Sequence, residues 1–103
     1  MELPVAKSLI AQGVNLSFPG QVWADFGAGD GLFTKALAEL LPPNSKIFAV
    51  DKDERALKKI AITSSGVELE KVVTDLTKIP ARLSGFDGIV MANSLHYIKD
   101  QRQ

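Results

Sequence analysis

Apolar positions along the chain fall into short continuous runs of strand length and longer runs with helical spacing, and the two kinds alternate. Near the start, Val5, Leu9 and Ile10, with Pro4 ahead and Gly13 behind, predict a short amphipathic helix over residues 4–12. Val22-Trp23-Ala24-Asp25-Phe26, bounded by glycines, reads as a strand buried on both faces. The spacing of Leu32, Phe33, Ala36, Leu37, Leu40 and Leu41 predicts a helix with Asp30 as N-cap, stopped by Pro42-Pro43. Ile47-Phe48-Ala49-Val50 is a second buried strand ending at Asp51. Asp53 is the expected cap of a helix that buries Ala56, Leu57, Ile60 and Ala61, pairs Glu54 with Lys58, and ends at Ser64-Ser65-Gly66.

Residues 67–73 read as a third strand, whose mixed pattern of Val67, Leu69 and Glu68, Glu70 suits a sheet edge with one wetter face. The stretch from Leu76 to Leu83 contains Pro80 and predicts a loop with a short helical turn. Ile89-Val90-Met91-Ala92 is a fourth apolar strand, stopping at Asn93-Ser94, after which a helix is expected to begin. Alternation of this kind predicts an α/β fold with a mostly parallel sheet and right-handed crossovers.

In such sheets ligands bind beyond the carboxyl ends of the strands. Those ends carry Asp25 with the run Gly27-Ala28-Gly29-Asp30-Gly31, then Asp51, Asp75 and Asn93. Aspartate often does no more than open a turn or cap a helix. Asp30 and Asp53 already occupy the predicted cap positions, which leaves Asp25 and Asp51 without that task.

Composition narrows the chemistry. The chain has 103 residues, 46% apolar and 23% charged, with 12 basic residues against 12 acidic ones. A neutral balance gives no field that would favour nucleic acid, and no apolar run nears the roughly 20 residues of a membrane span. There is no cysteine, so thiolate catalysis and cysteine-ligated metal are excluded, and no metal site is expected. With no secretory pattern at Met1-Glu2-Leu3-Pro4, a cytoplasmic location is the expectation.

The glycine run discriminates among ligands. Gly27 and Gly29 permit a tight turn and close approach to bare backbone at the start of a helix. A dinucleotide site wants G-x-G-x-x-G or A, but the position that should be small is Leu32. An acid directly ahead of the glycines repels a pyrophosphate and suits an ammonium or sulfonium. Asp51 at the second strand end is placed to accept hydrogen bonds from two ribose hydroxyls. A nucleoside with a cationic tail fits these residues better than a nicotinamide dinucleotide.

The run Val22-Trp23-Ala24-Asp25-Phe26-Gly27-Ala28-Gly29-Asp30-Gly31 resembles the first motif of class I S-adenosylmethionine-dependent methyltransferases, an acid followed by three alternating glycines. Residues 47–51 are similar to the second motif, Val73-Thr74-Asp75-Leu76 to the third, and residues 86–93 to the fourth. Ser94-Leu95-His96-Tyr97 is similar to the branch that methylates diverse small molecules.

The resemblance implies a Rossmann-like three-layer fold and S-adenosyl-L-methionine as cofactor. Asp25 and the backbone at Gly27 and Gly29 would hold the methionine end, Asp51 the ribose diol, and the Lys52 stem would lie on the adenine. Asp75 would accept from the adenine amine, the Leu76 N–H would meet a ring nitrogen, and Asn93 would reach the methionine end. The acceptor would be a small molecule. No catalytic residue is required for in-line displacement at a sulfonium methyl, and His96 is the one candidate base. The family's seven strands follow the order 3-2-1-4-5-7-6, so this chain is expected to supply strands one to four, a single domain forming the cofactor-binding half. An exposed edge at residues 86–93 would then invite self-association. Two alternatives stand beside this: a cofactor-binding module without transferase activity, and an NAD(P)-dependent oxidoreductase, which Leu32 and the lack of a Tyr-x-x-x-Lys pair disfavour.

Overall fold

Strand order in the sheet is β3-β2-β1-β4-β5, from β1 (Val22–Phe26), β2 (Ser45–Asp51), β3 (Val67–Val73), β4 (Gly88–Met91) and β5 (His96–Lys99). The computed structural model describes residues 2–11, 20–62, 66–80, 83–91 and 96–99. Strands β1 to β4 are mutually parallel, and β5 runs antiparallel to β4. The helices are α1 (Leu3–Ala11), α2 (Leu32–Leu40) and α3 (Glu54–Lys58), with a 3-10 turn at Leu76–Lys78.

Side-chain alternation along the central strands builds two cores. Trp23, Ile47 and Val90 point to the face covered by α2 through Phe33, Ala36, Leu37 and Leu41, and Ala49 meets Leu57 of α3 on that face. Ala24, Phe26, Phe48, Val50 and Ile89 point to the opposite face, under Ile79, Leu83 and Phe86. The first two crossovers thus lie on one face and the β3-to-β4 connection on the other. Right-handed connections require this when the chain turns back across β1 to place β4. Beside α2, Lys7 of α1 reaches Glu39 at 2.9 Å.

Close packing has two glycine-dependent points. A Cβ on Gly88 would run into the Trp23 ring, which is 1% exposed. Gly31 has φ +88°, and a Cβ there would lie 2.7 Å from the Ile60 side chain. The third glycine of the run is therefore what lets α2 begin against the segment that follows α3.

Three sequence expectations change. The helix after Asp53 ends at Lys58, and Ala61 is exposed, because Leu57 and Ile60 already fill the space over Ala49 and Ala28. The N-cap of α2 is Gly31, without a side-chain cap; Asp30 sits one residue earlier, and its Oδ1 accepts the Leu32 N–H at 3.2 Å. Residues 96–99 form a strand rather than the start of a helix, so β4 is not an open edge and the expected route to self-association through it loses its basis. An apolar strand with unpaired donors and acceptors is satisfied by the nearby β-prone run His96-Tyr97-Ile98-Lys99. The third strand does lie at an edge, where Glu68 and Lys71 are exposed.

Candidate functional site

Parallel pairing brings the carboxyl ends of β1 to β4 to one side of the sheet, and β1 and β4 are neighbours there, the crossover that leaves β1 lying on one face and the connection that enters β4 on the other. The glycine turn is anchored at that point. The N–H groups of Gly27 and Ala28 both donate to the Val50 carbonyl, at 2.7 and 3.0 Å, so the chain leaving β1 folds over the end of β2. The Gly31 N–H then returns to the Ala28 carbonyl at 2.9 Å, which closes the turn before α2 starts.

Asp51 ties four segments together. Its Oδ2 accepts the Gly29 N–H at 2.8 Å, its Oδ1 accepts the Asp53 N–H at 2.9 Å, and its carbonyl accepts the Thr74 N–H at 3.0 Å. The glycine turn, β2, the start of α3 and the end of β3 are thereby held in register. A carboxylate offers about four acceptor directions, so two backbone donors leave capacity on both oxygens. The side chain is partly exposed, as a ligand contact requires. Asp53 caps α3, accepting the Arg55 and Ala56 N–H groups at 3.0 and 3.2 Å, as its sequence position predicts.

Asp25 is different in kind. It is 0% exposed, between β1 and α2, where its Oδ2 accepts the Thr34 hydroxyl at 2.8 Å and its Oδ1 has no hydrogen-bond partner. Burial pushes its carboxyl up to about 7, opposed by the Thr34 hydroxyl and N–H and assisted by the charges of Asp51 and Asp30. Lys52 is exposed on the turn after β2, and its ammonium favours the ionised form of Asp75. The Oδ1 of Asp75 takes both the Thr77 N–H and the Thr77 hydroxyl at 2.8 Å, and these hold its carboxyl below the usual carboxylate range. Leu76 opens the 3-10 turn, where the first N–H groups have no partner within the turn itself.

Gly29 therefore meets Asp51 directly and Gly27 is tied to the adjoining Val50, Lys52 and Asp75 share the neighbouring strand ends, and Asp25 lies in the packed layer beneath α2. Asn93 falls outside the described residues. His96 pairs in register with Met91 at the carboxyl end of β4, which puts its backbone beside the site, while its side chain is not among those described. Thr34 is the residue that sequence reasoning passed over. Its signal was a hydroxyl one residue from Phe33 and three before Leu37, on the buried side of an otherwise apolar helix. Among the described residues no group of three or more His, Cys, Asp or Glu side chains is arranged to hold a metal. No described helix is long and apolar enough to cross a membrane.

Comparison with known proteins points one way. Residues 24–103 match the methyltransferase domain family. Uncharacterized methyltransferases of Mycobacterium bovis and Mycobacterium tuberculosis are 31% identical over 78 residues, 76% of this chain and 38% of theirs. The chain thus spans well under half the length of these relatives. Among solved structures, coclaurine N-methyltransferase bound to N-methylheliamine and SAH superposes with a TM-score of 0.64 at 20% identity, over 86% of this chain and 26% of that one. A TehB-like SAM-dependent methyltransferase from Corynebacterium glutamicum gives 0.59 at 18% identity, over 84% and 42%. At such identities these structures speak for the fold, while the family match covers the glycine turn and all four strand ends: the chain belongs to the methyltransferase domain family, of class I.

Proposed function

We propose that this chain binds S-adenosyl-L-methionine across the carboxyl ends of β1 to β3, as the cofactor-binding portion of a cytoplasmic enzyme that methylates a small-molecule acceptor. The observation that carries the reading is Asp51, a partly exposed carboxylate fixed by the Gly29 and Asp53 N–H groups with acceptor capacity left on both oxygens.

The residues present fit the group. Gly29 has φ +56°, and a Cβ there would meet nothing closer than the Gly27 carbonyl at 3.8 Å, so the turn is open to close approach of a ligand. Buried Asp25, whose Oδ1 has no hydrogen-bond partner, stands two residues ahead of Gly27, and its ionised form would suit a cation and oppose a pyrophosphate. Asp51 holds the ribose diol, and the ionised Asp75 accepts from the adenine amine while the Leu76 N–H donates to the ring. The Lys52 stem lies along the base. Asn93 is assigned to the methionine end on its sequence position alone.

Bound there, the cofactor supplies an activated methyl group on a sulfonium. The chain's own contribution would be orientation: Asp51 at the ribose and Asp75 with the Leu76 N–H at the base would fix the nucleoside, and the glycine turn with Asn93 would hold the methionine end for in-line displacement. His96, whose backbone lies opposite Met91, is the candidate to take a proton from that acceptor. The test is transfer of labelled methyl from S-adenosyl-L-methionine to a panel of small amines, phenols and carboxylic acids by the protein. Labelled product that vanishes with Asp51→Ala supports the reading. Binding without transfer to any acceptor supports the binding-module alternative instead.

A further inference from the structure

Among the described residues, Asp25 and Thr34 form a buried polar pair that is neither a cap nor on the exposed surface of the site. Asp25 and Thr34 face each other across the β1–α2 interface, both 0% exposed, joined by one hydrogen bond of 2.8 Å. The second oxygen of Asp25 has no partner. A buried carboxylate with an orphaned oxygen is costly in its ionised form, and the cheapest remedy is to keep a proton. Its surroundings reinforce that. Its in-register neighbours on β2 and β4 are Ala49 and Val90, which are apolar, and the charges acting on it are the carboxylates of Asp51 on β2 and Asp30 in the glycine turn. Only α2 opposes protonation, through the Thr34 hydroxyl and N–H.

We propose that Thr34 is a positioning residue for Asp25, and that a cationic ligand on the glycine turn binds with release of the Asp25 proton to solvent. This rests on the functional reading above and deepens it. A positive charge above the turn replaces the proton as the partner of the buried carboxylate, so binding and deprotonation are linked. The sign follows directly. The ligand-free protein carries the proton up to about pH 7 and the complex releases it at lower pH, so affinity rises with pH and levels off above that value. One linked proton gives a slope of at most about tenfold in affinity per pH unit. Removing the Thr34 hydroxyl withdraws a contact to the ionised form and shifts the rising limb to higher pH.

The experiment is calorimetric titration of the whole chain with S-adenosyl-L-methionine between pH 5.5 and 8.5, in two buffers of different ionisation enthalpy. The second ligand is methylthioadenosine, which keeps the nucleoside and lacks both cationic groups. The expected result is affinity rising up to about tenfold per pH unit below neutrality with proton release for the first ligand, and a flat profile for the second. In Thr34→Val the rise moves to higher pH, and in Thr34→Ser it returns to the parent position. If Thr34→Val does not fold, the Thr34→Ser profile and the parent's proton count carry the test. A flat profile for S-adenosyl-L-methionine, or an equal slope for both ligands, overturns the linkage while leaving the functional reading in place. Absence of binding at every pH overturns both.

Discussion

The Gly29 N–H donates to the Asp51 Oδ2 at 2.8 Å, so the second glycine of the turn after β1 is held by the acid that ends β2. That bond makes the turn and the proposed ribose site one unit. Neither can shift without the other. A ligand that spans both meets a surface already ordered, which reduces the entropic cost of binding.

Asp51→Ala is expected to weaken S-adenosyl-L-methionine about 10- to 100-fold, the worth of the ~1.5–3 kcal/mol of hydrogen bonding to a charged group. Asp51→Asn, which keeps one acceptor oxygen, falls between the variant and the parent. Calorimetry on the three proteins checks the order.

Gly31→Ala is expected to destabilise the fold by about 1–3 kcal/mol, from the left-handed backbone and from displacement of Ile60. The two causes separate in a double-mutant cycle with Ile60→Ala read by urea unfolding. Steric contact predicts a favourable coupling of about 0.5 kcal/mol or more, and backbone strain alone predicts none.

Asp25 gives a pH signature in stability as well as in binding. The native state holds the proton up to about pH 7, whereas the unfolded chain releases it near 3.8. Between those values the native state binds more protons, so this group's contribution is full below 3.8 and is lost as pH rises toward 7. Three pK units correspond to about 4 kcal/mol as an upper bound. Asp25→Asn removes the dependence. Relative to the parent, the variant is expected to gain stability between pH 5 and pH 8 by about 3 kcal/mol, measured by urea unfolding at both pH values.

Asp75, held ionised by Thr77 and Lys52, acts as an acceptor toward the base. It is therefore expected to favour adenine over hypoxanthine, whose carbonyl oxygen would face the carboxylate. The hypoxanthine analogue of the cofactor should bind about tenfold more weakly, and Asp75→Asn, which can also donate, should narrow that gap. Competition binding with the two nucleosides measures it.

Much of this was legible in the chain. The glycine run between Phe26 and Leu32, with an acid before it and another at the end of the next apolar run, marked the turn and the strand end that the Gly29–Asp51 hydrogen bond joins. Asp53 capped its helix as predicted because capping is local: the carboxylate and the donors it satisfies lie within three residues. What could not be read was non-local. That Asp25 would be sealed under α2 with Thr34 depends on how a helix beginning at Gly31 lies over β1, and no local pattern encodes that packing. Residues 96–99 became a strand for a similar reason: pairing with β4 decided their conformation, against an expected helix. Gly31 was recognised as part of a motif, but its contact with Ile60 emerges only once α3 has ended at Lys58.

The turn after β1 and the acid after β2 are expected to bind, together, a nucleoside with a cationic tail. Calorimetric titration at pH 8 with S-adenosyl-L-methionine and, separately, with NAD measures it most directly. Single-site binding of the first with a roughly micromolar Kd, lost or much weakened in Asp51→Ala, is expected, with little or no binding of the second. Tighter binding of NAD, or no heat from S-adenosyl-L-methionine with a folded protein, would contradict it.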